Sequence, residues 1–256
     1  MATYFVNTNS IVRKIWGKAD TILFIFAGAS AEFALNKSVD WLYFTGKLPS
    51  APLGRLFSTV SYSRLILFSE YDTALRSIDQ ITAIHKGVEA SRGAKIPDDA
   101  YLDVLYLLID YSIRSYELLE RSLTESEKEE VFEVFYRVGE RMALKNLPTN
   151  YTDWVIEREE QLGYSLCRGN LTHDLYLQYK KHLGSIRFHL LEQAQLLVVP
   201  QRVSKLLGIG KVKWLLPVLA VYKFFRLFKL QNLLKNAILP PTYINQVKAM
   251  DTAPNF

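Results

Sequence analysis

Cysteine is almost missing from this chain. Cys167 stands alone, so no disulfide framework can form within the chain, no Cys-rich zinc site can be built, and no Cys-x-x-Cys-His is present for covalent haem attachment. A reducing compartment fits that usage. Met1 to Ser10 carries no basic start, apolar run or small-residue cleavage site, so export is not expected and a cytoplasmic location is. Also missing are a Ser/Gly-rich linker between Ile11 and Val199, a low-complexity tract and an internal repeat, which excludes a string of small modules. No Asn-Gly or Asp-Gly hairpin signal occurs, and alternating apolar runs are short, so strands have little support.

What is present is apolar material at helical spacing. With 256 residues, 49% of them hydrophobic, the chain can bury a sizeable core, and we expect one all-α domain folded as an irregular helical bundle. Asp20 to Leu35 is apolar on most sides. Pro52 suits the first turn of a helix running to Phe68, and Ser69 with Asp72 has the spacing of a capping box for the next. That next helix carries Leu75, Ile78, Ile81, Ile84, His85 and Val88 as one stripe at three- and four-residue steps. Tyr101 to Leu119, Glu129 to Leu144 behind a Thr124/Glu127 capping box, Trp154 to Leu166, and His173 to Val199 complete the set. Crossings in such a bundle leave a cavity between helices, where cofactor sites are built.

Acidic residues are absent from Gln193 to Met250, while Arg202, Lys205, Lys211, Lys213, Lys223, Arg226, Lys229, Lys235 and Lys248 all fall there. Residues 1–210 therefore read as the helical domain and 211–256 as a basic amphipathic segment. Its apolar run from Trp214 to Tyr222 is interrupted by Lys223 and Arg226, well short of the about 20 residues a spanning helix needs. Two readings stay open: an interfacial helix lying on a membrane through 211–235, or a terminal helix docked on the core with its lysines solvated. The basic residues form no nucleic-acid reader motif, so nucleic acid is not an expected partner.

Few residues are equipped for chemistry. The histidines are His85, His173, His182 and His189, with no His-Glu-x-x-His pair. His182 and His189 could share a face, but two imidazoles without a third ligand make a weak metal site; His173 beside Asp174 reads as part of a helix start. There is no Gly-x-Ser-x-Gly elbow and no phosphate-cradling loop. Glu157, Glu159 and Glu160, with Arg158 among them, read as a solvated helix face. His85 differs in having aliphatic neighbours along its stripe, although a lone histidine on an apolar face is more often a core histidine bonded to a carbonyl.

The order Pro52-Leu-Gly-Arg55-Leu56-x-x-Thr59, His85-Lys-Gly-Val88, Leu123-Thr124-x-x-Glu127, Leu147-Pro148, then Tyr179 to Gly184 with Ile186-Arg187-Phe188 resembles the MpaB-type oxygenases and rubber oxygenases (latex clearing proteins). The resemblance spans roughly Ile11 to Gly210. It implies an all-helical fold around a non-covalent haem b, with His85 at the position of the iron ligand and Arg55 and Thr59 near the haem. A guanidinium there can pair with a propionate or stabilise oxygen, and the threonine can orient it. The sequence also departs from the family: Ser58 stands where rubber oxygenases carry a lysine, and Leu35 to Ser38 reads Leu-Asn-Lys-Ser where relatives show Gln and His-Pro. Ser58 cannot serve as a comparable sixth ligand, so a five-coordinate or water-bound iron is expected. Glu32 and Asp40 are the nearest carboxylates for accepting a proton.

The resemblance thus implies a haem-dependent oxygenase using dioxygen on a hydrophobic, isoprenoid or lipid-like substrate, with an unknown redox partner. The alternatives from other classes are a non-catalytic helical membrane-associated protein and a haem sensor or carrier.

Overall fold

In a computed structural model the chain is described over residues 3–46, 50–210 and 212–227, apart from the side chains at 52, 53, 55, 56 and 224–227. Helices α1 (Ile11–Trp16), α2 (Ala19–Phe33), α3 (Asp40–Phe44), α4 (Pro52–Phe68) and α5 (Tyr71–Arg92) lead into α6 (Asp98–Leu119), α7 (Glu125–Arg141) and α8 (Tyr151–Tyr164). The long α9 (Asn170–Val198), the short α10 (Gln201–Leu207) and α11 (Leu215–Leu227) follow. The described residues hold no strand, only isolated bridges at Tyr4–Glu70 and Asn36–Leu166. The all-α, single-domain expectation therefore stands.

The centre of the bundle is the pairing of α2 with α6. Gly28 makes it close: a Cβ there would sit 2.2 Å from the Tyr111 ring, so only glycine leaves room for the ring against the α2 backbone. One turn further along α2, the Tyr111 hydroxyl donates to Glu32 at 2.8 Å. Trp16, fully buried, donates its indole N–H to Ser112 at 3.0 Å and meets Phe26 edge to face. Its polar handle is thus satisfied inside the core, as a buried indole requires.

Three local expectations change. Ser69 and Asp72 do not form a capping box: Ser69 ends α4, and α5 starts after Glu70 without a side-chain cap. The Tyr71 N–H is satisfied instead by the Thr3 carbonyl at 2.8 Å, because the N-terminal segment pairs with this junction. The helix expected from His173 runs from Asn170 but is broken at Gly184, whose φ of 75° and ψ of 165° belong to a region other residues scarcely enter. Arg158 is not part of a solvated face; it is 4% exposed. By contrast, the Thr124/Glu127 capping box forms with both reciprocal bonds.

Helix α11 docks by one side. Leu219 is buried, Tyr222 donates to Asp20 at 3.1 Å, and Trp214 stacks on His189. Leu216, Val218 and Val221 on the same helix remain about half exposed. No helix among the described residues is long and apolar enough to cross a membrane, and 228–256 lies outside them.

Candidate functional site

The α4–α5 hairpin carries the sequence candidates. Pro52 opens α4, and Arg55 falls in its first turn, its side chain outside the described residues. Ser58 is exposed and Thr59 half-buried. On α5, Ala74, Ser77 and Ile78 are buried, and Leu75 and Ile81 pack on the core. The stripe does not continue into the interior: Ile84 is 43% exposed and His85 half-buried. Past Ile81 the helix has left the main core, so His85 stands at its edge and not within it.

The partners of that half of α5 come from its own face at four- and three-residue steps. The His85 ring meets Tyr101 edge-on, 5.2 Å between centroids. Glu89 accepts the Tyr101 hydroxyl at 3.3 Å and the Ile96 N–H at 2.9 Å. Burial and then Glu89 push the Tyr101 phenol up to about 12, so it stays protonated and donates. Arg92 lies 3.9 Å over the Trp41 ring and pairs with Asp40 at 2.6 Å. Asp40 is therefore tied to the helix that bears His85, about 10 Å further along the axis at 1.5 Å per residue.

Glu32 is elsewhere, inside a buried ion network on α2, α6 and α8. Arg158 donates to both Glu32 oxygens at 2.6 and 2.7 Å, to Asp110 at 2.8 and 3.1 Å, and to the Gln161 side-chain oxygen. All five guanidinium N–H groups are thereby used. Asp110 also accepts from Arg114 at 2.6 Å. Gln161 passes the network on to Asp103, which Asn36 and Ser165 also contact. Burial alone would raise the Asp110 carboxyl, but Arg158 and Arg114 outweigh it and hold it below the ordinary carboxylate range. Burial likewise opposes the Arg158 charge, and Asp110 and Glu32 more than restore it. For Asp103 burial wins and pushes the carboxyl up, against the bonds from Asn36, Gln161 and Ser165.

The remaining histidines, His173, His182 and His189, are exposed; His189 sits 3.2 Å from Glu192. Among the described residues no three His, Cys, Asp or Glu side chains gather as a metal site. A bare ion held by protein alone has no home there. A single half-buried imidazole, with a hydroxyl-bearing helix packed beside its own, suits a metal that arrives already chelated by a porphyrin.

Sequence reasoning did not reach Tyr101, Glu89 and Arg92 around His85. The spacing of 85, 89 and 92 on one helix face was the available signal. Arg158 had none, since its partners lie 126 and 48 residues away.

The fold is an all-helical bundle in which α5 carries one half-buried imidazole, His85. The chain belongs to the family described as ER-bound oxygenase mpaB/B'/Rubber oxygenase, catalytic domain, which matches residues 16–227. No curated protein and no solved structure matches it.

Proposed function

We propose that the chain is a haem b-dependent oxygenase acting with dioxygen on a hydrophobic, isoprenoid or lipid-like substrate. The observation that carries this reading is the family match over 16–227, with the imidazole of His85 at the resembling position on α5. His85 would be the iron ligand. Arg55 and Thr59, with Ser58 beside them, would bind the haem's polar edge from α4. When bound, the haem supplies the dioxygen chemistry; the protein supplies ligand, orientation and exclusion of water. Of the two carboxylates, Asp40 is joined through Arg92 to the helix of His85, whereas Glu32 lies in the buried Arg158 network on α2, α6 and α8. Asp40 is thus the better-placed acceptor.

The division into a helical domain, 1–210, and a basic segment, 211–256, belongs to the same proposal. The outward Leu216, Val218 and Val221, set in a stretch without acidic residues, support peripheral membrane contact from the cytoplasmic side. Neutralising Lys223, Arg226 and Lys229 should reduce co-sedimentation with anionic liposomes, and unchanged binding would count against the contact. The catalytic proposal is tested by oxygen uptake of the haem-loaded protein with polyprenyl and unsaturated-lipid substrates. Uptake that depends on substrate supports it; a haem-loaded protein that consumes no oxygen with any of them contradicts it.

A further inference from the structure

A concavity lies away from α4 and α5, where the end of α6, the face of α8 and the short α10 meet. It is a cleft of about 600 Å³, within the range that holds a small ligand. Arg114, Arg202 and Lys205 line it against one carboxylate, Glu159. Its floor is apolar, made by Leu162, Val199 and Leu206. A solvated surface would pair such cations with neighbouring acids. Among the described residues Arg202 bonds the Gly163 carbonyl, at 2.7 Å, and neither it nor Lys205 nor Glu159 forms an ion pair there.

Arg114 gives the cleft a built wall. Its Nε–H is held by Asp110 at 2.6 Å, and the other Asp110 oxygen is held by buried Arg158. Asp110 is thus shared between two guanidiniums, and the planar fork of Arg114 is set in place before any ligand arrives. We propose that this cleft binds a phosphomonoester carrying an apolar chain: the phosphate among Arg114, Arg202 and Lys205, the chain along Leu162, Val199 and Leu206. Arg202 and Lys205 against Glu159 leave one net positive charge, because Arg114, Arg158, Asp110 and Glu32 cancel within their own network; that excess attracts the roughly −1.5 to −2 charge of such a group at neutral pH, and Arg114 adds N–H donors to it. The apolar floor is what separates this ligand from a free inorganic anion. The inference is independent of the oxygenase reading.

The test is calorimetric titration of the whole chain with hexyl phosphate, inorganic phosphate and hexanol at matched ionic strength. Hexyl phosphate should bind at least about tenfold more tightly than either alone, since head and chain each contribute on the order of a tenfold step. The R202Q/K205Q double variant, with an unchanged melting temperature, should lose at least about tenfold in affinity, and E159Q should gain roughly two- to fivefold. Vesicles of phosphatidic acid in phosphatidylcholine distinguish the source. Capture that falls in the double variant supports the proposal with a membrane lipid as ligand, and hexyl phosphate binding without capture supports it with a soluble ester. No saturable hexyl phosphate binding, equal affinity for inorganic phosphate, or binding indifferent to R202Q/K205Q would overturn it.

Discussion

The middle of the bundle and the outer half of α5 are built in opposite ways. Between α2, α6 and α8 every polar atom of Arg158 is matched, Glu32 accepts on both oxygens, and Tyr111 is wedged against Gly28. Around His85 there is an exposed Ile84, a half-buried ring and an edge-on tyrosine. The difference separates a saturated, fully buried network that holds the fold from a margin where side chains are only half covered. A charge network that saturates its own donors cannot offer them to a ligand.

Mutations should sharpen that contrast, beginning with the largest effect. Arg158→Met strands Glu32 as a buried carboxylate without its cation and leaves Asp110 with Arg114 alone, and should cost about 3–5 kcal/mol of unfolding free energy, read from the urea midpoint. A loss under about 1 kcal/mol would mean water enters this region, removing the contrast. Gly28→Ala forces the Tyr111 ring away and should cost about 1–3 kcal/mol, with a parallel change in near-ultraviolet circular dichroism.

The surface cap of α7 should respond less. Thr124→Ala removes the bond to the Glu127 N–H and should cost about 1 kcal/mol. The same site gives a pH signature. Arg121 first, and then the Thr124 backbone, holds the Glu127 carboxyl at about 2 against an ordinary 4.5. Because the folded value is the lower one, this contribution is complete above about pH 4.5 and fades as pH falls through about 2. Glu127→Gln should remove that part of the acid dependence in pH-stability profiles. The smallest effect on stability belongs to His85→Ala, within about 0.5 kcal/mol, as for a residue outside the core.

Much of the helical order was legible from periodicity and punctuation. Pro52 at the start of α4 and the Thr124/Glu127 box at the start of α7 act over three or four residues, so the sequence displays them whole. Ser69 misled because a distant strand-like segment, Thr3 to Phe5, took over the bonding that a cap would have made. The stripe of α5 showed which face was apolar but not how far the neighbouring helices extend to cover it, and burial fades after Ile81. Arg158 was read as solvent-facing because its neighbours Glu157, Glu159 and Glu160 are acidic. Its true partners are on other helices, and no local spacing announces a pairing at that separation. The site itself rests on resemblance: His85 alone, judged from its stripe, points to a packed core histidine more than to a metal ligand.

The central claim is tested most directly by the visible spectrum of the purified chain after haem supplementation, wild type beside His85→Ala at equal folded concentration. The account predicts a strong Soret band in the wild type and its loss or displacement in the variant, with thermal melting almost unchanged. A Soret band identical in both, or a colourless wild type, would contradict it.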